Sequence, residues 1–112
     1  MSWNTLTEIK QIENIIKESY ETPCVILKHS TTCPISYAAK MRLEGDLKDL
    51  SSKASLYYLD LLSYRSVSTA VAEKLQVHHE SPQVILIKNG EVTYDESHLD
   101  ITSAELTEQI AV

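Results

Sequence analysis

The chain of 112 residues holds no run of basic residues and no long apolar stretch, and it has only two cysteines, two glycines and three prolines. Each scarcity excludes a class of protein. With 10 Lys and Arg against 16 Asp and Glu, the net charge of −6 argues against a nucleic-acid partner, whose phosphates are held by clustered basic side chains. The opening MSWNTLTEIKQIENIIKESY is interrupted by charges every few positions, so it reads as neither a secretion signal nor a membrane span. The expectation is a cytoplasmic protein without a membrane partner. In that reducing setting two cysteines are not a structural staple, and each needs its own explanation as core filler, ligand or reactive thiol. No Gly-, Ser- or Pro-rich linker divides the chain, so residues 1–112 read as a single domain. A 43% hydrophobic content is enough for one core at this length.

The apolar pattern sets out the elements. Thr5-Leu6-Thr7-Glu8 has the form of a capping box, and Ile9, Ile12 and Ile16 recur at helical spacing, predicting a helix over residues 6–20. Cys24-Val25-Ile26-Leu27-Lys28-His29 carries four consecutive apolar residues, the mark of a strand covered on both faces. Ile35, Ala39, Leu43, Leu47 and Leu50 then predict one helix over residues 33–49, weakened near its end by Gly45. A second strand over residues 55–61 is followed by a helix through Val67, Ala70, Val71 and Leu75. Pro82 precedes a third strand at residues 83–87, Asn89-Gly90 supplies a hairpin turn, and residues 91–97 pair back. Asp100 or Thr102 caps a closing helix, with Glu105 completing a box on Thr102. The sum is an α/β chain: two parallel strands joined by a right-handed crossover, then a hairpin, in a mixed four-stranded sheet with helices on both faces. This is a thioredoxin-like architecture.

Cys33 lies where the first strand passes into the second helix, with Thr32 or Cys33 itself as N-cap and Pro34 presetting the first turn. Amides at a helix start lack intrahelical partners and carry the positive end of the dipole, so a thiolate there is stabilised. The amides of Ile35 and Ser36 are the expected donors, and the Ser36 hydroxyl is expected to bend back toward the sulfur. Thiols in such settings titrate at ~3.5–7.5, which makes them nucleophiles at neutral pH. Cys24 begins an apolar strand and reads as inert core. A bond between the two cysteines is excluded, because strand rise separates them well beyond the Cα spacing of about 5.5 Å that a disulfide needs. His29, His78, His79 and His98 are scattered and show no paired-ligand spacing, so no metal site is expected. His29 is either a solvated strand end or a group that tunes the thiolate. An X-Pro bond such as Ser81–Pro82 is cis in about 5–6% of cases from sequence alone.

Lys28-His29-Ser30-Thr31-Thr32-Cys33-Pro34-Ile35-Ser36 resembles the K-H-S-x-T-C-P-I-S signature of the monothiol bacilliredoxin (YtxJ-like) family. Glu80-Ser81-Pro82-Gln83 and His98-Leu99-Asp100-Ile101 are similar to two further motifs of that family, in the same order along nearly the whole chain. The resemblance implies a thioredoxin-like redox protein of the bacillithiol system with Cys33 as its active cysteine. Ser36 then stands where dithiol relatives have a second cysteine, and Pro82 is expected to be cis, with Ser81 pairing to an extended substrate. By analogy with glutaredoxins, His98 and Asp100 would hold polar ends of a small thiol, although the Gly-Gly pair of those proteins is absent.

The function expected from these residues is that of a monothiol thiol–disulfide oxidoreductase. Cys33 takes bacillithiol from bacillithiolated client proteins, and a low-molecular-weight thiol, bacillithiol as co-substrate, regenerates it. Two alternatives belong to other classes. One is a non-catalytic thiol sensor or adaptor that is modified at Cys33. The other is an iron–sulfur scaffold, disfavoured because Pro34 occupies the position that is Gly in cluster-binding monothiol glutaredoxins.

Overall fold

The computed structural model describes residues 3–112. One mixed sheet of five strands, in the order β1-β3-β2-β4-β5, is built from β1 (Asn4–Thr5), β2 (Cys24–His29), β3 (Ser55–Asp60), β4 (Gln83–Lys88) and β5 (Glu91–Ser97). The helices are α1 (Lys10–Glu18), α2 (Pro34–Glu44), α3 (Leu47–Lys53), α4 (Arg65–Leu75) and α5 (Ser103–Ala111), with a 3-10 turn at His98–Asp100. This is the expected thioredoxin-like fold with one strand more than the four expected. The added β1 is two polar, exposed residues on the outer edge of β3, too short and too hydrophilic to leave an apolar alternation in the sequence.

All six residues of β2 are buried, as its apolar run requires. The pleat sends Cys24 and Ile26 to the face covered by α1 and α4, where they join Ile12, Ile15, Val67 and Val71. Val25 and Leu27 go to the other face, with Ala39 and Leu43 of α2, Leu50 of α3 and Leu106 and Ile110 of α5. β2 runs parallel to β3 and antiparallel to β4. The carboxyl ends of β2 and β3 and the amino end of β4 therefore meet at one edge of the sheet.

Three local expectations are corrected. The Thr5–Glu8 capping box does not form, because Thr5 is drawn into β1; the Gln11 side chain instead accepts the Thr7 and Glu8 amides at 2.8 and 2.9 Å. The helix expected over residues 33–49 is two helices that break at Gly45-Asp46, which turns Leu50 down onto the core under β3. Asp100 is not a helix cap: it lies in the 3-10 turn, and Thr102 caps α5 by accepting the Glu105 amide at 3.2 Å. The hairpin turn is as read, with Asn89 and Gly90 both at positive φ (54° and 82°), the type I′ geometry. Among the described residues no helix is long and apolar enough to cross a membrane.

Candidate active site

Cys33 is the N-cap of α2, in extended backbone at φ −104° and ψ 118°, with Pro34 as the first helical residue. Its amide donates to Ser30 O at 3.2 Å and its carbonyl accepts the Tyr37 amide at 3.0 Å, so the backbone on both sides of the sulfur is fixed. The side chain is partly exposed and the thiol is free. Thr32 and Pro34 beside it are exposed, as is Ile35, which keeps 46% of its surface open. The structure corrects one expectation here: the cysteine makes no side-chain capping hydrogen bond to the amides of Ile35 or Ser36. What acts on the sulfur is its place at the positive end of the helix and its access to solvent.

The Ser36 hydroxyl is also committed elsewhere. Fully buried in the first turn of α2, its Oγ accepts the Ser30 amide at 2.9 Å and lies 2.7 Å from His29 Nδ1. The hydroxyl has one hydrogen to give. Donating it to Nδ1 assigns the His29 proton to Nε2. His29 is only 4% exposed, so it is not a solvated strand end. Burial holds its pKa below the usual histidine range. Its ring packs on Tyr58 at 5.6 Å between centroids, and Lys40 of α2 stands 5.4 Å over the same tyrosine. His29 thus reaches the cysteine loop through Ser36 and Ser30, as a brace beneath it.

Across the sheet, Lys28 pairs with Gln83, and the same antiparallel register continued by one residue brings Pro82 level with His29. The Ser81–Pro82 peptide bond is cis, Pro82 is buried and Ser81 is partly exposed. The Pro82 carbonyl accepts the His98 amide at 3.1 Å, which ties the 3-10 turn to this loop. Arg42 of α2 ties the same turn from the other side, donating to the carbonyls of Ile101 at 2.9 Å and His98 at 3.4 Å. His98 is at positive φ and its Nε2 lies 3.4 Å from Glu80. His98 and Asp100 are exposed, and the neighbouring Leu99 is 69% exposed.

Cys24 is the opposite case. It is fully buried, its thiol points at the carbonyls of Thr22 and Ile15 at 3.3 and 3.7 Å, and burial followed by the negative charge of Glu18 pushes its pKa up to about 12.

Lys28, Gln83 and Glu80 stand inside the motifs quoted above, but the sequence assigned them no role. Lys28 is fully buried with Nζ 2.6 Å from His79 Nδ1. Gln83 donates from Nε2 to His78 O at 2.8 Å and accepts the Glu80 amide at 3.4 Å. The legible signal was a lysine inside a strand whose other residues are apolar or buried.

The model of the family described as "Monothiol bacilliredoxin BrxC" matches residues 4–106. A solved structure described as a candidate oxidoreductase with a thioredoxin fold is 35% identical over 94% of this chain and 90% of that one, with a TM-score of 0.82. Thioredoxin from Trypanosoma brucei brucei is 14% identical over 98% of this chain and 88% of its own, with a TM-score of 0.76. Mitochondrial thioredoxin 3 from Saccharomyces cerevisiae is 18% identical over 97% of this chain and 93% of its own, with a TM-score of 0.73. The last two likenesses concern the fold alone.

Proposed function

Because the chain belongs to the monothiol bacilliredoxin family, we propose that it removes bacillithiol from protein mixed disulfides in the cytoplasm, using Cys33 as its only exchanging thiol. The observation that carries this reading is the inequality of the two cysteines. Cys33 stands partly open at a helix start, whereas Cys24 is sealed and protonated.

The Cys33 thiolate attacks the bacillithiol sulfur of a client mixed disulfide. A new bond forms between Cys33 and bacillithiol, the client's bond to bacillithiol breaks, and the client leaves as a thiolate that takes a proton from water. A second low-molecular-weight thiol then attacks the Cys33 adduct, releases a bacillithiol-containing disulfide and restores Cys33. Ser36, bound to His29 and the Ser30 amide, has no sulfur with which to resolve the adduct. The partly exposed Ser81 backbone beside Pro82 pairs with the client segment. His98 and Asp100 on the exposed 3-10 turn contact the polar parts of the small thiol, and Ile35 and Leu99 give apolar flanks.

The test is intact-mass analysis after exposure to bacillithiol disulfide and, separately, to glutathione disulfide, with peptide mapping, followed by turnover of a bacillithiolated client. An adduct on Cys33, formed faster from bacillithiol disulfide, with catalysed release of the client is the expected result. Uptake of the adduct without client release makes the protein a thiol sensor and overturns the proposal.

A further inference from the structure

Lys28 is fully buried, an unusual state for a lysine, and the proposed chemistry makes no use of it. By the alternation of β2 it shares the face of Cys24 and Ile26, away from His29. Its Nζ finds one recorded partner among the described residues, His79 Nδ1 at 2.6 Å. His79 stands in the segment of residues 78–82 that leads through Ser81 and Pro82 into β4. Hydrogen bonds from three elements hold that segment among the described residues. Lys28 holds it from β2, the Gln83 amide holds it from β4 through His78 O and the Glu80 amide, and the His98 amide holds it from the 3-10 turn through Pro82 O. Beside these bonds, His98 Nε2 of the 3-10 turn lies 3.4 Å from the Glu80 carboxylate of the same segment.

We propose that Lys28 is a positioning residue: its ammonium, docked on His79, holds the 78–82 segment at the carboxyl end of β2, in the setting where Ser81 meets a disulfide partner of Cys33. The partner half of this statement rests on the oxidoreductase reading above; the latch itself does not.

The charge-assisted form of the bond needs a charged lysine and a neutral imidazole. Burial lowers the Lys28 pKa to about 8, with the charge of Glu80 opposing the shift. His79 is lowered as well, first by burial and then by the positive charge of Lys28, against Glu80 and with His78. Above about pH 8 the donor becomes a neutral amine and its hydrogen bond loses its charge assistance. Below the His79 pKa, which lies under the ordinary histidine value, two cations face each other. The latch is therefore closed between those two limits. The other charged groups around it are fixed by position. His78 and His98 both sit against Glu80, at 3.5 and 3.4 Å, Arg65 and Glu73 of α4 line a cleft together with His79, and the Asp60 carboxylate at the end of β3 is taken by the Leu62 amide and the Ser63 hydroxyl.

Imidazole and amide NMR of the full chain between pH 5 and 9 tests this, with Lys28→Met and His79→Gln beside the wild type. The expected His79 Nδ1 signal is that of a hydrogen-bonded acceptor with an inflection near pH 8 that disappears in Lys28→Met, while the Ser81 amide exchanges faster with solvent. At pH 7, Lys28→Met, which removes the bond altogether, should slow exchange of Cys33 with a mixed-disulfide peptide roughly tenfold, the worth of one hydrogen bond from a charged donor. Alkylation of Cys33 by iodoacetamide, which needs no loop, should keep its rate. A His79 signal without the inflection, or one that keeps it in Lys28→Met, overturns the proposal. If Lys28→Met does not fold, the titration of Lys28 decides: displacement from pH 8 in His79→Gln supports the latch, and an unmoved value overturns it. If wild-type Cys33 exchanges with no disulfide at all, the oxidoreductase reading fails while the NMR result still decides the latch.

Discussion

The amino end of β2 and the loop after its carboxyl end put the two thiols in opposite settings. At the amino end Cys24 is enclosed by Ile12, Ile15 and Ile87, with Glu18 near enough to disfavour its thiolate. At the carboxyl end the strand carries two polar residues, Lys28 and His29, and then releases the chain into a loop that delivers Cys33 to the start of α2. A buried thiol has neither solvent nor a stabilising field, while a thiol at a helix start has both. β2 and the loop after it separate a sealed cysteine from a partly exposed one, and His29 at the end of β2 braces the loop that carries the second.

The strongest way to break this contrast is Cys33→Ser, which should abolish adduct formation with bacillithiol disulfide while Cys24→Ser retains it, read by intact mass. Next in size is the platform. Ser36→Ala leaves the Ser30 amide and His29 Nδ1 without partners in a buried site, so it should lower stability by about 1–3 kcal/mol, measured by denaturant unfolding. At the inert end, Cys24→Ala removes one buried sulfur and should cost about 1 kcal/mol without altering the exchange rate of Cys33. A large change in that rate would mean the two ends communicate.

The smallest effect is on acid stability. His29 and His79 both have folded-state pKa values lowered below 6.5, so above that value both states are neutral and nothing is lost. As pH falls below 6.5 the unfolded chain takes up protons that the folded one refuses, and stability declines. Thermal unfolding between pH 7 and 5 should show this slope, and His29→Gln should flatten part of it.

How much was legible follows from the signals available. The β2 run and the Asn89-Gly90 turn state their structures locally, and Thr102-x-x-Glu105 states its cap, so those elements match the sequence reading. β1 carries no periodicity, and the α2–α3 break depends on where Leu50 packs, which no local pattern encodes. The position of Cys33 at a helix start was readable from Pro34. The hydrogen bonds of Ser36 were not, because they depend on His29 turning inward across a loop of four residues. Lys28 was overlooked for a related reason: a charge in a covered strand is readable as an anomaly, but its partner His79 lies 51 residues away.

The inequality of the two thiols is tested most directly by alkylating the native protein with iodoacetamide at neutral pH and mapping the label. The expected label is on Cys33, with Cys24 modified only after unfolding. Comparable labelling of both cysteines in the folded protein, or labelling of Cys24 first, would contradict it.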